Sequence, residues 1–157
     1  MKPTDEVVQY LKEHGPRQRP HKYVTMMNIA SEYEKQSSCL RNQFGAIITT
    51  HDFSMILSVG YNGSYKGGPN HCHSLEQGKC MCIHAEANCL IKYPFGMYDN
   101  VIMFVTGNPC ISCASMIINA DIKHVVYDRE YKSDNFAGLN LIKSVGIKVE
   151  RLSDAIA

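Results

Sequence analysis

The sequence predicts an α/β protein: a three-layer α/β/α sandwich around a five-stranded mixed sheet. Three observations carry that prediction. Short apolar runs alternate with stretches of helical periodicity through the second half of the chain. Helices between the last three strands demand crossover connections, which make those strands parallel. Two earlier apolar runs are separated only by a short turn, so they form a hairpin that adds an antiparallel pair at one side. A chain of 157 residues, 45% of them hydrophobic, is sized for one domain with an ordinary core; the sequence places it at residues 21–157, behind an N-terminal arm of residues 1–20.

Residues 1–20 are polar and carry Gly15, Pro16 and Pro20, which suits a short helical or irregular arm. The first core helix starts near His21, because Tyr23, Met26, Met27, Ala30 and Tyr33 recur at spacings of three and four and line one apolar face. The polar run Lys35-Gln36-Ser37-Ser38 ends it. Residues 44–48 and 55–61 are the hairpin strands, with His51 and Asp52 in the turn between them. Residues 62–82 form a long loop holding Gly63, Gly67, Gly68, Pro69 and Gly78, and a loop of that length inside a small domain usually serves function. Beyond it the pattern predicts a helix near 83–93, a strand at 101–106, a helix at 110–120, a strand at 124–128, a helix near 135–145 and a strand at 147–151. There is no internal repeat and no low-complexity segment.

Charge and composition narrow the function. The formal net charge is +1, from 16 Lys plus Arg against 15 Asp plus Glu, so no global field draws the chain onto nucleic acid or an anionic membrane. A nucleic-acid substrate calls for a basic groove, and no basic cluster exists beyond Arg17-Gln18-Arg19. Small ligands are the expected partners. The N-terminus lacks an apolar run of signal-peptide length and no stretch approaches a membrane span, which points to the cytoplasm, or the host cytoplasm for a viral source. Seven cysteines in a reducing compartment fit metal ligation better than a disulfide framework.

The chemistry concentrates in His84-Ala85-Glu86 and Pro109-Cys110-Ile111-Ser112-Cys113, both at predicted entries into helices. Cys110 and Cys113, three apart, share one face of a first helical turn, where the positive end of the dipole favours thiolates and both sulfurs can chelate one ion. His84 and Glu86 are two apart; in mid-helix they would point to opposite sides, so the pair makes sense at a helix N-terminus. One histidine and two thiolates leave the fourth position of a tetrahedral zinc open, the mark of a catalytic rather than a structural site. Such a site acidifies water toward a pKa of ~7, and Glu86 is placed to shuttle its protons to a ring and a departing amine. The bland alternatives are a helix-start histidine, a solvated first-turn carboxylate, and buried or structural-zinc cysteines. The ordered pair H-x-E then P-C-x-x-C favours the catalytic reading, because together they are the signature of zinc-dependent nucleobase deaminases.

At these residues the sequence resembles the cytidine and deoxycytidylate deaminase superfamily, and within it the deoxycytidylate branch. The similarity runs from about Tyr23 onward through Ser38-Cys39-Leu40-Arg41, Gly45-Ala46-Ile47-Ile48, Gly60-Tyr61-Asn62-Gly63, Ile83 to Asn88, Pro109 to Cys113 and Val125 to Tyr131. The resemblance implies a cytidine deaminase-like fold, and conversion of dCMP to dUMP that feeds thymidylate synthesis. It implies that Asn62 binds the sugar, that backbone around Ala85 and Cys110 reads the pyrimidine edge, and that Tyr131 lies near the nucleotide. Asn62 before Gly63 also suits a plain turn, and Tyr131 also suits plain packing. Arg41 and Lys66 are candidates for the 5′-phosphate, against a solvated surface role.

Some members of the branch hold a second, structural zinc, and Cys39 with Cys80, Cys82 and either His71 or His73 resembles such a site; the alternative is a loop of buried thiols. Regulated members imply a homo-hexamer activated by dCTP and inhibited by dTTP, with a Mg2+-bound triphosphate near Asn62, Gly63 and Lys66. Two other functions compete: deamination of another cytosine nucleotide such as dCTP or of a base in tRNA or single-stranded DNA, and a non-catalytic zinc-binding module. Glu86 argues against the module, since a structural site has no use for a carboxylate that is not a ligand.

Overall fold

A computed structural model describes residues 2–72, 74–76, 79–131 and 136–157. Among these, α1 (Asp5–His14) and α2 (Lys22–Glu34) precede the hairpin of β1 (Gly45–Thr49) and β2 (Ile56–Tyr61). The chain continues through α3 (Ala85–Lys92), β3 (Ile102–Gly107), α4 (Ile111–Asn119), β4 (His124–Arg129), α5 (Ala137–Ser144), β5 (Lys148–Arg151) and α6 (Leu152–Ala155). The long loop keeps its expected place, although His73, Gln77 and Gly78 within it lie outside the described residues, as does Asn135 at the expected start of α5. The arm folds as a helix with no buried residue, and α6 is a single short turn of helix too brief to leave a periodic signal. Among the described residues no helix is long and apolar enough to cross a membrane.

The strands form one five-stranded sheet in the order β2-β1-β3-β4-β5. β1 pairs antiparallel with both β2 and β3, whereas β3, β4 and β5 run parallel through their helical crossovers, giving the expected mixed sheet. All of β1 and β3 is buried, so their near-continuous apolar runs are those of central strands covered on both faces.

Side-chain alternation divides the core between the two faces. Ala46, Ile48, Met103, Val105 and Val125 pack against Ala85, Cys89, Leu90, Ala114, Ile117 and Ile142 from α3, α4 and α5. Ile47, Ile102, Phe104 and Val126 meet Met27 and Ala30 of α2, with Leu152 of α6 beside them. A residue that alternates sides on the strand therefore decides which helix it holds. Two glycines set the helix depths that matter for the site. A Cβ on Gly60 would lie 2.3 Å from the Ala85 carbonyl oxygen and 2.5 Å from the Cys89 nitrogen, so only glycine lets α3 sit this close to β2. A Cβ on Gly138 would lie 2.1 Å from the Pro109 carbonyl oxygen, which brings α5 against the entry to α4.

Candidate active site

The parallel strands β3 and β4 point their carboxyl ends to one edge of the sheet, where ligands bind in open α/β sheets. β1 starts and β2 ends at that same edge, because β1 runs antiparallel to both neighbours. The N-termini of α3 and α4 open there too. His84 and Cys110 are the N-cap residues of α3 and α4, both in extended conformation and neither capping its helix with its side chain, so both side chains are available to the space between.

That space brings together the three expected ligands. His84 Nδ1 lies 3.5 Å from Cys110 Sγ and 3.4 Å from Cys113 Sγ, and the three donor atoms fall within 4.8 Å of one another. The ionisation pattern fits a cation. Cys110 is lowered to about 3, first by a hydrogen bond from the Cys113 thiol and then by His84. Cys113 is pushed upward because it donates that bond and is buried. His84 is raised to about 9, chiefly by its hydrogen bond to Cys110. Three donors forced to share protons at this distance are a donor set that one zinc ion can take over. Glu86, only 5% exposed, sits in the first turn of α3, and burial raises its carboxyl to about 7. Desolvation of that kind keeps a carboxyl able to give and take protons near neutrality.

The site opens on a cavity of about 330 Å³ whose lining includes His84, Glu86, Cys110, Asn62, Phe44 and Tyr131. Asn62 is buried; its Oδ1 accepts from Phe44 N at 2.8 Å while its Nδ2 donates to Asn42 O at 2.8 Å. Its amide therefore holds the segment before β1 and retains one donor hydrogen and one lone pair toward the cavity. The Tyr131 ring stands edge-on to Phe44, 5.7 Å between centroids, and its hydroxyl accepts from Asn42 Nδ2 at 3.3 Å. Phe44, Asn42 and Asn108 are lining residues that sequence reasoning did not single out as site residues. Their only sequence signal was position at the ends of strands.

Residues 20–129 match the model of the cytidine and deoxycytidylate deaminase zinc-binding region, a span well over half of the chain. The chain belongs to the cytidine and deoxycytidylate deaminase family. A dCMP deaminase from the cyanophage S-TIM5, crystallised in complex with dCMP and dUMP, is similar at TM-score 0.74 and 31% identity over 87% of this chain and 100% of that one. ComE operon protein 2 of Bacillus subtilis is 37% identical over 123 residues, which are 74% of this chain and 64% of that protein. Deoxycytidylate deaminase of Saccharomyces cerevisiae is 27% identical over 153 residues, 90% of this chain and 48% of its own length. The chain thus spans about half the length of the yeast relatives, 48% for this one and 45% for that of Schizosaccharomyces pombe.

The other positions assigned by resemblance to the deaminase family divide. Ala85 is fully buried between His84 and Glu86. Arg41 lines the cavity, but one of its guanidinium nitrogens donates to Glu76 O at 2.8 Å, tying it to the long loop. Gly63 exchanges both backbone hydrogen bonds with Ile83, at 3.1 and 2.8 Å, and so pins the two ends of that loop together. Lys66 is exposed and stands apart from the cavity lining.

The loop thiols converge in a different set from the one expected. Cys39, Cys72 and Cys82 place their sulfurs within 4.8 Å of one another, with 3.7 Å between Cys72 and Cys82. Cys72 joins the expected Cys39 and Cys82 in this cluster, whereas Cys80 is not part of it; Cys39, Cys80 and Cys82 all line the cavity that holds His84 and Glu86. His71 Nδ1 lies 3.2 Å from the neighbouring Cys72 O, outside the cluster, and His73 lies outside the described residues.

Proposed function

We propose that the protein is a zinc-dependent hydrolase that deaminates dCMP to dUMP and ammonia. The observation that carries this reading is the convergence of His84, Cys110 and Cys113 beside the buried carboxyl of Glu86 in one cavity. His84, Cys110 and Cys113 would hold the zinc, which when bound would supply Lewis acidity that acidifies water at neutral pH. The reaction adds water at C4 of the cytosine ring and expels the exocyclic amine. Protons must therefore pass from the attacking oxygen to the ring nitrogen and to the leaving amine, and Glu86 carries them. Phe44 and Tyr131 offer the apolar walls for the pyrimidine, the remaining hydrogen-bonding capacity of Asn62 faces the sugar, backbone around Ala85 and Cys110 reads the base edge, and Arg41 is the candidate for the 5′-phosphate.

The net charge of +1 supports mononucleotide rather than polynucleotide substrates, and the S-TIM5 relative with dCMP and dUMP supports the deoxynucleotide. The test is ammonia release by the purified protein from dCMP, cytidine, dCTP and a cytosine-bearing oligonucleotide. Turnover of dCMP above the others is expected; turnover of the oligonucleotide alone would overturn the assignment. In this reading residues 21–157 are one catalytic domain working in the cytoplasm, and its dUMP feeds thymidylate synthesis.

The Cys39–Cys72–Cys82 cluster supports a second, structural zinc that ties the long loop to the segment before β1. Elemental analysis is expected to give two zinc ions per chain, falling to one in Cys39→Ser or Cys72→Ser, with a lower Tm and the catalytic zinc retained. A wild-type count of one removes the second site.

Regulation belongs to the same reading: a homo-hexamer activated by dCTP and inhibited by dTTP, the Mg2+-bound triphosphate lying by Asn62, Gly63 and Lys66. A coupling of ~1–3 kcal/mol would make the dCMP curve sigmoidal and dCTP would straighten it. Sedimentation as a monomer, with a hyperbolic curve indifferent to either triphosphate, would sink the regulatory proposal and leave the chemistry standing.

A further inference from the structure

Main-chain pairing between β3 and β4 ends at the site. The register runs to Gly107 opposite Arg129, and the last rung is Asn108 N–H donating to Arg129 O at 3.1 Å. The next rung of a parallel ladder would pair Tyr131 with the backbone around Pro109 and Cys110, but there the chain turns into α4 with Cys110 as its N-cap. Tyr131 would be left with its backbone groups unpaired beside a cavity. The Asn108 side chain takes the place of the missing rung: its Nδ2 donates to Tyr131 O at 3.0 Å, and its Oδ1 accepts from Tyr131 N. A carboxamide reproduces both groups of a peptide unit, which is why asparagine can extend a ladder by one step. Asn108 is 7% exposed, so both bonds are shielded from competing water.

We propose that Asn108 is a positioning residue for substrate binding, fixing the Tyr131 ring as a wall of the catalytic cavity. The proposal rests on the deaminase reading above. The geometry downstream of the latch supports it. With its backbone held by Asn108, Tyr131 directs its ring edge-on to Phe44 and its hydroxyl to Asn42, and all four residues line the cavity. Asn108 thus acts on the substrate through Tyr131 and on nothing in the proton transfer, which belongs to Glu86.

The test measures kcat and KM for dCMP, zinc content and Tm in Asn108→Ala, Tyr131→Ala and the double variant. Asn108→Ala is expected to raise KM on the order of tenfold while kcat stays within about threefold and the zinc content is unchanged, the signature of lost binding rather than lost chemistry. The double variant is expected to resemble Tyr131→Ala, because the two residues act in series. Should Asn108→Ala fold poorly, Asn108→Asp keeps the acceptor for Tyr131 N–H, loses the donor, and is expected to show the same split. An unchanged KM in Asn108→Ala or in Tyr131→Ala, or additive losses in the double variant, would overturn the proposal while leaving wild-type deamination intact. Wild-type protein inert toward dCMP would instead overturn the functional reading, and the proposal with it.

Discussion

Replacing Glu86 with alanine or glutamine is expected to lower kcat for dCMP by ~10²–10⁴-fold, and by more if one carboxyl serves every proton transfer, while zinc and fold are retained. The carboxyl is almost fully buried and raised to about 7 by desolvation, so in the neutral range it can act first as base and then as acid. Glutamine keeps the volume and the hydrogen-bonding shape but cannot move a proton, so it separates chemistry from packing. Burial of an ionisable carboxyl opposes folding, and Glu86→Gln is accordingly expected to have a Tm no lower than wild type. Steady-state kinetics beside elemental analysis and thermal melts provides the check. Near-full activity in either variant would refute the assigned mechanism.

Loss of a zinc ligand is expected to abolish activity by a different route. His84→Ala, Cys110→Ser and Cys113→Ser should each lose the catalytic zinc, so the metal content falls with the rate, whereas in the Glu86 variants it does not. The metal-free donors also predict a pH dependence. Cys113 is pushed up and His84 raised to about 9, so both carry protons at neutral pH that ligation must expel. Zinc affinity of the stripped protein should therefore fall as pH falls, on the order of tenfold per unit for each proton released. Competition with a chelator of known affinity at pH 6 and pH 8 measures it. Equal affinity at the two values would show that His84 and Cys113 are not the groups that bind.

The convergence of His84, Glu86, Cys110 and Cys113 is legible in the sequence because its information is local. His84 and Glu86 are two residues apart and Cys110 and Cys113 three apart, so each pair needs only the start of its own helix to present both side chains to one side. The sheet was legible for a related reason: hydrophobic periodicity separates strand from helix, and crossover connections force β3, β4 and β5 to run parallel. The sequence leaves the arm open between helical and irregular, because its helix buries nothing and so has no core face to mark it.

What only the tertiary structure decided depends on where the chain goes between those local units. Sequence proximity favours Cys80, two residues from Cys82, over Cys72, ten residues away, and only the path of the loop brings Cys72 to Cys39 and Cys82. Resemblance assigns Asn62 to the sugar, with a plain turn as the alternative; the fold shows its amide holding Phe44 and Asn42 while the residue lines the cavity, contacts between segments about twenty residues apart that no local pattern encodes. Asn108 carries no sequence signal beyond its position at the end of a strand. Its role arises where β3 turns into α4 one residue before β4's extension needs a partner, and hydrogen-bond satisfaction at such a junction is set by the meeting of distant segments rather than by any neighbour in the chain.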